Sequence, residues 1–297
     1  MPPPVPMTQG IEDRPRDLLV SGHVNVDRFL RLREFPAHDR TVPVDAHRVE
    51  LGGTAGNIAR AATQYGVSSG LVSRLGDDFP RSFWQQLERA HIDLRGVERV
   101  RGTPTPTAYI MEDRRGRQRT LMDQGPMGVT PRKSPKRPWI SEYTWLHLAT
   151  GDPDSQLRLL REARAKGLRV SVDPGQEVRY RWDPRRLRTL VSGAELLFGN
   201  RWEVARVAAA FGASTPEELL AYVPLIVRTE GTRGSTAFSR AGTVHVPSAR
   251  ARSVRTVVGA GDSFRGGFYA AWFEGEELRK CLVAGARAAA RWMEGGR

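Results

Sequence analysis

Short apolar runs alternate along this chain with stretches whose apolar positions recur every three or four residues. The alternation predicts strands and helices in turn. From Asp17 the run DLLVSGHVNVD reads as a buried strand leading into a polar turn. FLRLREFPAHDRTVPVDAHRVELGG then holds two short alternating segments, a pair of strands projecting from the main body. Thr54–Tyr65 is alanine-rich and ends at Gly66, which predicts a helix. Val67–Arg74 reads as a strand and Asp77–Ala90 as an amphipathic helix. Between Val97 and Met122, apolar and polar residues alternate around Asp113-Arg-Arg-Gly116, the pattern of a hairpin. The segment 132–137, flanked by prolines, reads as irregular. After Tyr143 the order is regular. TWLHLAT, LRVSVDP, AELLFG and PLIVRTEG are strands, while Ser155–Ala165, Arg201–Phe211 and Val283–Trp292 are helices. Such alternation argues for an α/β fold with a mostly parallel sheet and helices on both faces. A small β excursion interrupts it at about 33–50 and 97–122, and 1–16 reads as a loose tail.

Composition narrows the class. Of 297 residues, 39% are hydrophobic and 27% charged, a balance that excludes collagen-like and disordered chains. No apolar run reaches the roughly 18 residues of a membrane span, and Met1–Gly10 lacks the order of a signal peptide. The single Cys281 excludes a disulfide framework or thiolate zinc cluster and fits a reducing compartment. A soluble, cytoplasmic protein with no membrane partner is the expectation. The 46 Lys+Arg against 33 Asp+Glu leave a net charge of +13. The arginines are spread over the whole chain, the pattern of a solvated surface. No nucleic-acid motif accompanies them, so nucleic acid is not an expected partner.

The strongest local motif is VVGAGDSFRGGF, Val257 to Phe268. Small residues at a strand-to-helix turn let backbone N–H groups converge on an anion at the positive end of the helix. Asp262 could simply cap that helix, but capping does not explain Gly259-Ala260-Gly261 before it or Gly266-Gly267 after it. An anion cradle beside a carboxylate suggests base-assisted attack on a phosphoryl group. Asn200-Arg-Trp-Glu203 opens a helix at a strand end; it is a capping box or a site holding Mg²⁺ through water. Thr229-Glu-Gly-Thr-Arg-Gly234 is a turn that merely connects or one that meets phosphates. Asn25, Asp27, Gly52, Gly53 and Asn57 supply turn chemistry or groups for adjacent hydroxyls. In a parallel sheet all these turns fall at the carboxyl ends of strands, where ligands bind.

GGTAGNIARAATQYG and VVGAGDSFRGGF, with NVD, NRWE and TEGTRG in order, resemble the signatures of the PfkB/ribokinase family of small-molecule kinases. The resemblance runs from about Asp17 to the end. It implies a ribokinase-like, three-layer, Rossmann-like α/β domain over 17–297 with a β-sheet lid. It also implies Asp262 as catalytic base, with Gly259, Ala260 and Gly261 forming an anion hole. Asn200 and Glu203 match the Mg²⁺/phosphate motif, Asn200 also lying with Thr229, Gly231 and Gly234 on the nucleotide side. Asn25, Asp27, Gly52, Gly53 and Asn57 match acceptor-binding positions. Thr256-Val257-Val258 replaces the family's usual Asp-Thr-Thr, which removes a carboxylate from the monovalent-cation site. Thr54 stands where ribokinase itself has lysine. The short stretch after the last helix implies a shortened adenine pocket.

The expected reaction is phosphoryl transfer from ATP, with Mg²⁺, to a primary hydroxyl. TPTAYIMED, TLMDQGPM and LHLATGDP resemble archaeal-type nucleoside kinases, placing a ribonucleoside 5′-hydroxyl first. A 6-phosphofructokinase or other sugar kinase follows, and a lid arginine of 114–119 touching an acceptor phosphate would favour it. A non-catalytic nucleotide- or nucleic-acid-binding protein is the alternative from another class. Exposed lid edges suggest a homodimer.

Overall fold

A computed structural model describes residues 16–133 and 135–296. The segment 1–15, most of the tail expected from the sequence, lies outside the described residues; Arg16 already belongs to the first strand. In chain order the strands are β1 (Arg16–Ser21), β2 (Asn25–Leu32), β3 (Val44–Gly52), β4 (Ser69–Gly76), β5 (Asp93–Val100), β6 (Thr107–Glu112), β7 (Gln118–Asp123), β8 (Tyr143–Leu148), β9 (Arg169–Val172), β10 (Leu196–Asn200), β11 (Leu225–Thr229), β12 (Ser235–Ser239) and β13 (Gly242–Val246). The α-helices are α1 (Thr54–Gln64), α2 (Arg81–Arg89), α3 (Pro153–Ala165), α4 (Pro184–Ser192), α5 (Arg201–Ala210), α6 (Ala260–Phe273) and α7 (Leu278–Met293).

Nine strands form one sheet in the order β13-β12-β11-β10-β9-β8-β1-β4-β5. The pairs from β5 to β11 are parallel, and β12 and β13 close one edge antiparallel. Successive residues of the central strands enter opposite cores. Leu18, Val20, Leu196, Phe198 and Val227 pack with α1, α2, α6 and α7. Leu19, Leu197 and Ile226 pack with α3, α4 and α5. Burial on both faces is why these strands read as unbroken apolar runs. Each such Leu or Phe contributes about 1.5–3 kcal/mol by leaving water. From β1 the chain moves outward through β4 and β5, then restarts at β8 on the other side. The strand order therefore reverses between the parallel neighbours β1 and β8, the place where a crevice opens at the carboxyl ends of the strands.

A second sheet of four strands, β3-β2-β6-β7, stands over that crevice. Its membership differs from the 33–50 and 97–122 segments read from the sequence. β2 belongs to it, because Gly22-His-Val24 breaks the first apolar run and the Val26 N–H bonds the Pro106 carbonyl at 2.9 Å. β5 does not, because Val97 pairs with Ser73 on the edge of the main sheet. Phe29, Ala108 and Ile110 form the apolar underside of the small sheet and pack against Val258, just before the GAGD turn. Gly266 and Gly267 have a packing role. A Cβ on Gly266 would lie 2.5 Å from the Ala61 side chain of α1, and one on Gly267 would lie 2.5 Å from Ala288 of α7. No helix among the described residues is long and apolar enough to cross a membrane.

Candidate active site

Under the small sheet, Asn25 and Asp27 point from the same face of β2, both buried. Asn25 Nδ2 donates to Asp27 Oδ1 at 2.5 Å. Gly52 lies opposite Asn25 in the β2–β3 ladder, and a Cβ there would fall 2.2 Å from an Asp27 carboxylate oxygen. Gly53 takes φ 96°, and its Cβ would meet the His23 carbonyl at 2.3 Å. The double glycine is thus required twice, by close approach and by backbone conformation. It lets α1 start directly against the crevice, with Asn57 in the first turn. Asn57 is buried and donates through Nδ2 to Asp262 Oδ2 at 3.0 Å.

Asp262 stands in the first turn of α6, but it does not cap that helix. The cap position is Gly259, in the left-handed region at φ 82°, with no side-chain cap. A Cβ on Gly259 would lie 2.8 Å from the Trp292 ring, whose Nε1 donates to the Val258 carbonyl at 2.8 Å. The turn is therefore held tight against α7. It leaves the first-turn amides of Ala260, Gly261 and Asp262 at the positive end of a 14-residue helix. Burial pushes the Asp262 carboxyl up to about 7, against the opposing pull of Arg265 and the Asn57 hydrogen bond. A carboxylate poised near neutrality in the first turn of a helix is suited to take a hydroxyl proton.

The remaining motifs assemble beside it. Asn200 and Thr229 end adjacent strands and are register partners. Asn200 and Glu203 do form a capping box. Asn200 Oδ1 accepts from the Trp202 and Glu203 N–H groups, each at 2.9 Å, and Glu203 Oε2 accepts from the Asn200 N–H at 2.7 Å. Glu203 is buried, and burial together with nearby Asp173 raises its pKa. Asp173 Oδ1, also buried, has no hydrogen-bond partner among the described residues. No cluster of three metal-binding side chains exists among those residues. This donor set fits a divalent ion that keeps its waters, rather than a chelated one. Gly231 and Gly234 shape the β11–β12 corner at φ 61° and 100°; a Cβ on Gly234 would strike the Val246 carbonyl at 2.1 Å.

Arg265, one turn beyond Asp262, was not singled out by the sequence. It is buried, forms a short ion pair with Asp173 at the end of β9, and donates through Nη1 to the Gly261 carbonyl at 2.7 Å. It clamps the GAG turn from beneath while countering the charges of Asp262, Asp173 and Glu203. An arginine four residues after GAG, on the apolar face of a helix, is the signal that could have revealed it.

Three of the four arginines of 114–119 are occupied within the small sheet. Arg117 pairs with the buried Asp113 at 2.6 Å, Arg114 with Asp45 at 3.7 Å, and Arg119 lies over Phe35. By strand alternation Arg119 faces away from Ile110 and the crevice. Arg48 is on the underside instead, opposite Phe29 in the β2–β3 ladder. It lies over the Phe29 ring at 3.7 Å and is bonded to Glu50 at 3.0 Å.

Comparison with known proteins agrees with this geometry. The model of the pfkB family carbohydrate kinases matches residues 15–293. A nucleoside kinase of Methanothermobacter thermautotrophicus is 32% identical over 267 residues, covering 90% of this chain and 85% of that one. An ATP-dependent ribose-1-phosphate kinase of Halopiger xanaduensis is 30% identical over 273 residues, covering 89% and 88%. The crystal structure of the Methanocaldococcus jannaschii nucleoside kinase, an archaeal member of the ribokinase family, superimposes with a TM-score of 0.85 at 26% identity, over 95% of this chain and 93% of that one. With the GAGD turn, the double glycine and the small sheet over the crevice all in place, the chain belongs to the PfkB family, as a kinase that transfers a phosphoryl group to a hydroxyl acceptor.

Proposed function

We propose that this chain phosphorylates the 5′-hydroxyl of a ribonucleoside with ATP. The observation that carries the reading is the Asn57–Asp262 hydrogen bond. It couples the acceptor pocket of Asn25, Asp27, Gly52 and Gly53 to the carboxylate at the GAG turn. Asp27 and Asn57 offer polar groups to neighbouring ribose hydroxyls, leaving the primary hydroxyl to face Asp262. Asp262 takes the proton as that oxygen attacks the γ-phosphorus in line, and the bond from the γ-phosphorus to the bridging oxygen breaks to release ADP. The first-turn amides of α6 meet the charge spreading over the phosphoryl oxygens. Glu203 and Asn200 would hold Mg²⁺ through its waters, and the ion would supply further neutralisation there. Thr229, Gly231 and Gly234 form the adjoining nucleotide surface. Descent of the small sheet excludes water, the competing acceptor. The nucleoside kinases among the relatives support this choice of acceptor.

A second reading, a sugar phosphate such as ribose 1-phosphate, is favoured by the Halopiger relative and by the cation of Arg48 on the underside of the small sheet. An assay of ATP with inosine, cytidine, adenosine, ribose, ribose 1-phosphate and fructose 6-phosphate separates the two. Turnover of sugar phosphates alone overturns the nucleoside reading. Salt-dependent retention on DNA with no turnover of any acceptor would establish the non-catalytic alternative. Exposed Val49, Arg28, Tyr109 and Leu121 form a row across the outer face of the small sheet, from its free edge β3 to its free edge β7. Homodimer formation there predicts that Leu121→Lys converts a dimer to a monomer in light scattering.

A further inference from the structure

We propose that Gln124 is the residue through which this site reads the base of its acceptor nucleoside, an inference that rests on the nucleoside reading above. Gln124 directly follows β7, where the chain returns from the small sheet to the main body. Three of the segments joining the two sheets meet there through side chains. Thr54 Oγ1 lies 2.6 Å from Thr150 Oγ1. Thr150 Oγ1 lies 2.8 Å from His23 Nδ1, and His23 Nε2 lies 2.7 Å from Gln124 Oε1. The His23 ring is buried, and burial depresses its pKa to about 4, so the ring is neutral with a single N–H.

That fixes the direction of the whole chain. An amide oxygen only accepts, so the imidazole proton sits on Nε2 and Nδ1 accepts from the Thr150 hydroxyl. Thr150 in turn accepts from Thr54. The Gln124 oxygen is thereby committed, and its amide NH₂ remains as a half-buried donor at the edge of the crevice. Its own contacts are long, one of 3.4 Å to the Tyr180 hydroxyl and a longer one to the Glu177 carboxylate, which a better-placed acceptor can replace. Behind it, the buried Glu177 accepts the Gly151 N–H through Oε2 at 2.6 Å. Its Oε1 has no hydrogen-bond partner among the described residues, with Arg181 Nε 3.9 Å away. This wall has polar capacity in reserve.

Its position matches one end of a nucleoside. Asp262 bonds Asn57, one helical turn after Thr54, and Thr54 begins the chain that ends at Gln124. An acceptor with its primary hydroxyl at Asp262 and its ring hydroxyls near Asn25, Asp27 and Gly53 presents its far end to Gln124. A bare pentose has no group for that donor; the ring nitrogens and oxo groups of a nucleobase do. Removing a site donor that meets such a group weakens binding of the acceptor and leaves the nucleotide side untouched.

The test is steady-state kinetics of Gln124→Leu and Gln124→Met with inosine and cytidine as acceptors and Mg²⁺-ATP as donor. KM for the nucleosides should rise about tenfold or more while KM for ATP holds. Both variants also take the acceptor from the buried His23 Nε2–H, so each should melt lower yet remain folded, and two variants guard against a packing fault in one. Wild-type nucleoside KM in a folded variant overturns the inference, as does an equal rise in KM for ATP. A wild-type enzyme that uses ribose 1-phosphate and no nucleoside overturns the nucleoside reading itself. Nucleoside turnover indifferent to Gln124 overturns only the role of this residue.

Discussion

Asp262→Asn is the most direct probe of the chemistry. The substitution keeps the shape of the side chain and an oxygen for the Asn57 donor, so the site should stay assembled. It removes only the capacity to accept a proton. With a pKa of about 7, the wild-type carboxylate is roughly three-quarters ionised at pH 7.5 and one-tenth ionised at pH 6, so wild-type kcat/KM should fall about eightfold over that interval. The Asn variant should lose about 10²-fold or more in kcat at pH 7.5 and show no such acid limb. Its stability should move the other way. The folded carboxyl holds its proton above the ordinary carboxylate range, whereas the unfolded chain releases it near pH 4. The wild type therefore loses stability as pH rises from about 4 to 7, and the variant is spared that loss. The buried Glu177, raised to about 7, adds a loss of the same sign, and the buried His23, lowered to about 4, adds a gain. The difference between wild type and variant isolates Asp262. Coupled-enzyme kinetics from pH 5.5 to 8.5 and thermal denaturation over the same range measure both effects. A folded Asn variant with near-normal turnover, or a wild type without an acid limb, refutes the assignment of the base.

Other substitutions probe the surrounding frame. Gly52→Ala sets a methyl group against the Asp27 carboxylate; KM for the acceptor should rise at least tenfold while KM for ATP holds, by steady-state kinetics. Arg265→Met leaves Asp173 and its neighbours without their buried counter-charge, and about 3–5 kcal/mol of stability should be lost in denaturant titration. Arg265→Lys keeps the charge without the guanidinium fork, so it should recover most of that stability, with kcat still reduced about tenfold through the loosened Gly261 carbonyl. Removing divalent ions with a chelator should abolish turnover. Glu203→Gln should raise the concentration of Mg²⁺ needed for half-maximal rate, and unchanged metal dependence would leave Glu203 with its capping role alone.

The α/β class, the GAGD turn and the double glycine were legible because each depends on local chemistry. Apolar runs of strand length, helical periods of three to four and glycines at strand ends survive in the sequence whatever the chain later packs against. Two readings were ambiguous for a local reason as well. Asn200-x-x-Glu203 serves a helix end whether or not an ion is near, and the structure shows that the capping box is real. Gly266-Gly267 looked like part of the anion site and proved to be the close approach of α6 to α1 and α7. The lid was visible as an excursion, but its strands were not correctly sorted. The start of β2 follows β1 after only Gly22-His-Val24, a break too short to separate the two in the sequence, and β5 resembles the lid strands in its alternation.

The sequence by itself determined the order of elements and the chemistry available at each turn. Tertiary structure decided which turns meet. Placing β9 between β8 and β10 brings Asp173 against Arg265 of α6. Crossing four times between the two sheets gathers, from three of those crossings, His23, Thr54 and Gln124 around Thr150. It also buries Asp262 far enough to raise its pKa. Desolvation and charge pairing depend on neighbours roughly ninety to two hundred residues apart. They belong to the packed crevice, and no local stretch of sequence contains them.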